Sequence, residues 1–276
     1  MISQEDKHQA FCDLHLRPRA FVIPNPWDAG SARILTALGF EALATTSAGF
    51  ALAIGRRDSA AALSREAIFQ NARSIVEATD LPVSADLEDG FGSDPETCAE
   101  TISLAYEMGL VGGSIEDATG NPAAPIFDFN LAVERVAASA EETRRHPFLL
   151  TARAENFLHR RPDLDDTIRR LQAFEEAGAD VPYAPGLPSL EAIRAVCSSV
   201  KRPVNVVMGL IGQVFTVDDL EAAGVKRISV GGSFARAALG GFLRAAREVK
   251  DHGTFSYAKD AMPALEAESY MADTSR

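Results

Sequence analysis

Ala37-Leu-Gly-Phe-Glu-Ala-Leu43 joins the end of one helical pattern to the start of an apolar run. The same kind of phrase recurs as Glu107-Met-Gly-Leu-Val-Gly-Gly113, Glu176-Ala-Gly-Ala-Asp-Val181 and Ala222-Ala-Gly-Val-Lys-Arg-Ile228. In each, Gly39, Gly109, Gly178 or Gly224 falls where a helix must stop, and glycine takes the left-handed backbone of a C-cap without a Cβ clash. Four helix-to-strand joints of one kind point to one βα unit used repeatedly. Working outward from them, eight short apolar or β-branched runs read as strands: 21–24, 42–46, 82–86, 112–116, 148–153, 180–184, 203–208 and 227–230. Helical patterns lie between them at 31–38, 64–78, 95–107, 131–143, 164–176, 189–198 and 217–223. The stretch from Lys250 reads as helix and polar tail.

Eight βα units predict a closed (β/α)8 TIM barrel, and 276 residues suit one such barrel, so residues 1–276 are read as a single domain. The alternative, an open doubly wound sheet, calls for a glycine-rich phosphate loop after the first strand, and the turn there is Pro24-Asn-Pro-Trp27. With 46% hydrophobic and 24% charged residues the composition is that of a globular protein. No apolar stretch approaches the roughly 18 residues of a membrane span, and the polar, acidic start is unlike a signal peptide. The expectation is a cytoplasmic protein with no membrane partner. A net charge of -12 with dispersed basic residues argues against nucleic acid. Cys12, Cys98 and Cys197 are odd in number and lack metal-ligand spacing, so they read as reduced, structural side chains. The histidines His8, His15, His146, His159 and His252 lie in polar flanking segments and read as surface residues.

In a barrel of this type chemistry sits at the C-terminal strand ends, and here those ends are polar. The third strand runs into Asp86-Leu-Glu-Asp-Gly-Phe-Gly92, the fourth into Glu116-Asp117, the fifth into Arg153-Ala-Glu-Asn156, and the seventh carries Asn205. Alternation along a strand would turn Asp86 and Glu88 to the same side. Like charges converging on one mouth repel unless a cation sits between them. Oxygen donors without His or Cys favour Mg2+ or Mn2+ over zinc. Asp89 and Asp117, one step out of phase, read as helix caps or surface ion pairs. Arg153 closes an otherwise apolar strand, where it would clamp a substrate carboxylate, pair with a barrel acid, or do both. Thr45-Thr-Ser-Ala-Gly49 offers hydroxyl and backbone donors, including those of Thr46, Ser47 and Ala48, for a carboxylate or oxyanion.

Taken in order, the strings Asn25-Pro-Trp-Asp-Ala-Gly-Ser-Ala-Arg33, Thr46-Ser47, Gly55-Arg-Arg-Asp58, Asp86-Leu-Glu-Asp-Gly-Phe-Gly92, Gly113-Ser-Ile-Glu-Asp117, Ala152-Arg-Ala-Glu155 and Arg227-Ile-Ser-Val-Gly-Gly-Ser-Phe-Ala-Arg236 resemble the isocitrate lyase and phosphoenolpyruvate mutase superfamily. The resemblance runs from about residue 20 to about residue 245. It implies a (β/α)8 barrel binding Mg2+, with Asp86 the most direct ligand and Asp58, Glu88 and Glu116 completing the shell. It further implies that Arg153 holds a substrate carboxylate, that Thr46 and Ser47 bind the 2-oxo acid end, and that the chain forms a homo-oligomer, a dimer or tetramer with a late helix swapped between neighbours. The segment 235–249 would suit that role.

Carbon-carbon lyases of the superfamily carry a Lys-Arg-Cys-Gly-His type loop after the fourth strand. Here the loop is Ala118-Thr-Gly-Asn-Pro-Ala-Ala-Pro-Ile126, without Cys, Lys or His, which points away from isocitrate or methylisocitrate cleavage. Asn121 is the one residue in it that could answer to the Asn of the phosphonopyruvate branch. The leading expectation is an Mg2+-dependent lyase cleaving a C-C bond in a small 2-oxo or 2-hydroxy acid of oxaloacetate or malate type, through a metal-stabilised enolate, with Arg153, Glu116 and Asn121 as catalytic candidates and Asn205 among the substrate-binding ones. C-P bond chemistry on phosphonopyruvate and non-catalytic binding of 2-oxo acids are the alternatives.

Overall fold

The computed structural model describes residues 2–57, 63–209 and 214–271. Its strands are β1 (Phe21–Ile23), β2 (Leu43–Ala44), β3 (Val83–Asp86), β4 (Gly112–Glu116), β5 (Leu149–Arg153), β6 (Val181–Tyr183), β7 (Asn205–Val207) and β8 (Arg227–Ser229). All pair in parallel in one sheet ordered β1-β8-β7-β6-β5-β4-β3-β2. The two ends of that sheet meet where Ala44 N-H donates to the Pro24 carbonyl at 3.0 Å, so the sheet curls into the expected barrel. Each of the eight predicted runs contains one strand.

The helices are α1 (Gln4–Leu16), α2 (Ala29–Ala37), α3 (Ser47–Ala53), α4 (Arg65–Glu77), α5 (Pro95–Glu107), α6 (Phe129–Thr143), α7 (Leu164–Ala177), α8 (Leu190–Ser199), α9 (Val217–Ala222), α10 (Ser233–His252) and α11 (Ala264–Met271). Their starts are written in the sequence. Asp94 accepts from Thr97 N with Pro95 opening α5, Ser64 and Ser189 cap α4 and α8, and Thr216 forms a reciprocal capping box with Asp219 on α9. Their stops are the four glycines named above, which take φ of 85° (Gly39), 87° (Gly109), 112° (Gly178) and 95° (Gly224). No helix among the described residues is long and apolar enough to cross a membrane.

Most of the core lies between strands and helices, where Ile75, Leu110, Ile115, Leu150, Phe174 and Ile193 are fully enclosed. A second cluster closes the N-terminal end of the barrel: Phe11 and Leu14 of α1 pack on Phe21, Ile23, Ala42 and Val111. The Gln4 amide donates to the carbonyls of Tyr106 and Leu110, and Lys7 Nζ to that of Thr79, tying α1 to the ends of α5 and α4. The first residues are therefore a floor plug rather than a plain polar start. His15, expected at the surface, is 7% exposed in this plug, with Nδ1 2.8 Å from the Phe11 carbonyl and its ring edge-on to Phe11 and Phe21. At the other end of the chain α10 buries only Ala235, and Phe234, Leu239, Phe242 and Leu243 lie exposed on it.

Candidate active site

At the C-terminal mouth Arg153, the last residue of β5, stands among three carboxylates. Its Nη1 lies 3.0 Å from Asp86 Oδ1, and its Nη2 lies 3.0 Å from Glu116 Oε2 and 2.8 Å from Glu155 Oε1. Nε adds a bond of 2.9 Å to Glu155 Oε1, and the Tyr183 ring lies 5.2 Å from the guanidinium carbon. Strand register brings two of these acids to the arginine: Glu116 is the direct neighbour of Arg153 across β4 and β5, and Asp86 ends the adjoining β3. The other oxygen of Asp86, Oδ2, accepts from Ser47 N and Oγ at 3.2 and 2.8 Å, and Asp86 N donates to Thr45 Oγ1.

The cluster is electrostatically lopsided, with three carboxylates against one guanidinium. Burial raises the Glu116 carboxyl well above the usual range, with Arg153 opposing and Glu155, Asp86 and Glu88 adding to the rise. For Arg153, burial works against the charge, and Glu116, Glu155 and Asp86 outweigh it, holding the guanidinium firmly protonated. A cavity of about 400 Å³ opens over this cluster.

Asp86, Glu88, Glu116 and Arg153 all line that cavity, as do Thr46, Ser47, Ala48 and Asn205. Glu88 gets there by a different route from the one its spacing suggests. β3 stops at Asp86, and Glu88 adopts a left-handed backbone with φ of 49°, so a turn rather than strand alternation aims it. Thr45-Thr-Ser-Ala-Gly49 is not a simple loop either: Thr46 Oγ1 accepts from Gly49 N and opens α3. A Cβ on Gly49 would stand 2.7 Å from Thr46 Cγ2 and 3.1 Å from Trp27 Cβ, so this turn packs only with glycine. Asn205 is 1% exposed and committed within the barrel, donating to Ser229 Oγ and accepting from Arg227 Nε.

One predicted residue, Asn121, does not join the group. Asn121 is exposed in the loop after β4, where its Oδ1 accepts from Ala123 N. Asp58 lies outside the described residues. Asp117, read as a cap or surface pair, is 3% exposed, accepting from Glu155 N at 2.8 Å and pairing with Arg170 at 3.0 Å. It steadies the backbone between Arg153 and Glu155. Asp89 is held by its carbonyl, which with that of Gly92 accepts from the buried Arg135. His159, Tyr183 and Arg227 line the cavity without having been singled out as site residues. The β8 alternation Arg227-Ile-Ser229 was the signal for the last of them.

A parallel eight-stranded barrel with an acid-arginine cluster at its C-terminal mouth defines the general class. The sequence comparisons resolve it further: residues 11–250 match the family model described as phosphoenolpyruvate phosphomutase. The chain belongs to this family, within the isocitrate lyase and phosphoenolpyruvate mutase superfamily of enzymes. A solved structure from Burkholderia cenocepacia J2315, assigned provisionally as a lyase/mutase, is 54% identical with a TM-score of 0.95, covering 98% of this chain and 97% of that one. The uncharacterized protein Rv1998c of Mycobacterium tuberculosis is 31% identical over 88% of this chain and 89% of its own length. The 2-methylisocitrate lyase of Halalkalibacterium halodurans is 26% identical over 91% of this chain and 85% of its own.

Proposed function

We propose that the protein is a divalent-metal-dependent lyase that breaks a carbon-carbon bond in a small 2-oxo or 2-hydroxy carboxylic acid, with Mg2+ as the first candidate ion. The observation that carries this reading is the charge imbalance at the mouth: among the described residues Asp86, Glu116 and Glu155 share the counter-charge of Arg153. The donors are all oxygen. Among the described residues no three His, Cys, Asp or Glu side chains form a ready-made cage. The set therefore fits an ion held by one or two carboxylates with water filling the rest, which is the habit of Mg2+. Asp86 is the direct ligand in this reading, with Glu88 and Glu116 behind it. When bound, the ion supplies Lewis-acid stabilisation of the oxygen charge that develops as the bond breaks.

The protein's own groups orient and neutralise. Arg153 is placed to take a substrate carboxylate by letting go of one acid, and it meets that carboxylate as a rigid fork. Thr46, Ser47 and Ala48 border the same space, and Ser47 donors now spent on Asp86 are those a 2-oxo acid would compete for. No Cys or Lys is required in the 118–126 loop for a cleavage in which solvent supplies the proton. Asn121, turned into its own loop, gives no support to the C-P reading. The exposed apolar face of α10 fits a homo-oligomer contact.

Isothermal titration of the Mg2+-loaded protein with oxalate tests the reading. Binding is expected for the native chain and a loss of at least a hundredfold for Asp86→Ala. Equal affinity in the two proteins defeats it.

A further inference from the structure

Inward positions of most (β/α)8 barrels are filled by branched aliphatic side chains. Here the cavity continues past Arg153 to Asn205, Arg227 and Ser229 on β7 and β8. Arg227 is 5% exposed. Its Nε donates to Asn205 Oδ1 and its Nη2 to Thr151 Oγ1, both at 2.9 Å, while Nη1 is buried without any hydrogen-bond partner. Both partners are neutral, and among the described residues no carboxylate pairs with this guanidinium. An uncompensated buried charge is among the most unfavourable features a core can hold. Burial, opposed only by Tyr183, draws the Arg227 pKa down to about 10, which still leaves it charged at neutral pH.

We propose that Arg227, the buried first residue of β8 on the cavity wall, is the binding group for one carboxylate-sized monoanion, received by its free Nη1. A guanidinium edge matches a carboxylate in shape and charge. Two sources share that chemistry: the far carboxylate of a diacid whose other end reaches the mouth, or a small free anion. The competing occupant is water. His15 Nε2, also buried without a partner, lies within the field of Arg227 and is an acceptor when Nδ1-H is given to Phe11. Water at Arg227 Nη1 would satisfy its hydrogen bond and leave the charge uncompensated; an anion neutralises it. The inference is independent of the metal reading, because the hydrogen bonds of Arg227 go to Asn205 and Thr151 and not to the mouth acids.

The test uses the intact, EDTA-treated protein, so that loss of metal binding does not enter. Crystals soaked in sodium bromide and, separately, in sodium formate are expected to show the anion within hydrogen-bond distance of Arg227 Nη1. Water or nothing there in both soaks overturns the proposal, and this arm needs no variant to fold. In solution, formate and succinate are titrated calorimetrically into the native protein and Arg227→Gln. Affinity at least tenfold weaker in Arg227→Gln is the expected pattern. Succinate binding tenfold or more tighter than formate assigns the diacid source, and equal or weaker succinate binding assigns the free anion. Affinities unaltered in Arg227→Gln overturn the proposal.

Discussion

The two ends of the barrel interior hold the same side chain in opposite electrostatic company. At the mouth, Arg153 is outnumbered by Asp86, Glu116 and Glu155. Toward the floor, Arg227 has two neutral partners and one idle donor. A buried guanidinium is therefore not one kind of object. The mouth carries surplus negative charge and calls for a cation, while the floor carries surplus positive charge and calls for an anion. Both lie along one cavity, one on β5 and the other on β8.

The largest effect that sharpens this contrast is expected from Arg153→Gln. Removing the shared counter-charge strands three poorly hydrated carboxylates, and breaking such a pair destabilises by about 3–5 kcal/mol. Denaturant unfolding measures it. Added Mg2+ should recover more stability in Arg153→Gln than in the native protein, because the variant has more uncompensated negative charge to bind it. A loss below about 1 kcal/mol would mean that the mouth acids are already screened by water, and the comparison would lose its first half.

Next in size is a pH effect at the floor. Burial, and secondarily Arg227, push the His15 pKa down to about 3, against an ordinary value of 6.5. The unfolded chain binds a proton there that the folded chain refuses, so the stabilisation is complete above about pH 6.5 and is lost as pH falls toward 3. By pH 5 the loss amounts to about 2 kcal/mol. Unfolding curves at pH 7 and pH 5 should show it in the native protein and show a smaller drop in His15→Gln. Formate should also flatten the dependence if it neutralises Arg227. An identical drop in the variant would place the titration elsewhere.

Smaller still is the expected effect of Arg227→Met in buffer free of small anions, about 1 kcal/mol or less in either direction. The substitution discards two neutral hydrogen bonds and also removes an uncompensated charge, and these terms oppose each other. The contrast with Arg153→Gln is the point of the measurement. A loss of 3 kcal/mol or more at Arg227 would show that its bonds to Asn205 and Thr151 are a structural tie outweighing the charge.

How much of this was readable beforehand follows from how local each signal is. The strands and the four glycine stops are written in short stretches, and so is the gathering of Asp86, Glu116 and Arg153 at one mouth, since adjacent parallel strands ending together must bring their last residues together. Glu88 reached the cavity for a reason alternation does not contain, a left-handed turn after Asp86. The plug α1 was missed although Phe11, Leu14 and His15 share one helical face, because a polar N-terminal segment gives no hint of the surface it covers. Arg227 was read only as part of a motif. Its lack of a counter-ion depends on what β5, β6 and β7 place around it, which no single stretch of sequence records.

The smallest expected effect is at Asn121, and it bounds both regions from outside. The residue is exposed, its side chain accepts from Ala123 N, and its own N-H donates to Thr119 Oγ1 at 2.9 Å, so it shapes a turn next to the bridge between Ala118 and Ile126. Asn121→Ala should change stability by no more than about 0.5 kcal/mol, as surface substitutions generally do. For cleavage of a 2-oxo or 2-hydroxy acid it should leave kcat/KM within about threefold, because neither arginine nor any mouth carboxylate touches it; an interaction made in the transition state would be worth a factor of ten for every 1.4 kcal/mol or so. Steady-state kinetics on the native and variant chains decides the matter. A hundredfold loss would mean that the 118–126 loop closes over the mouth during turnover and brings Asn121 to the substrate. If the loss appeared with phosphonopyruvate and phosphate release, the reaction at this mouth would be C-P and not C-C cleavage.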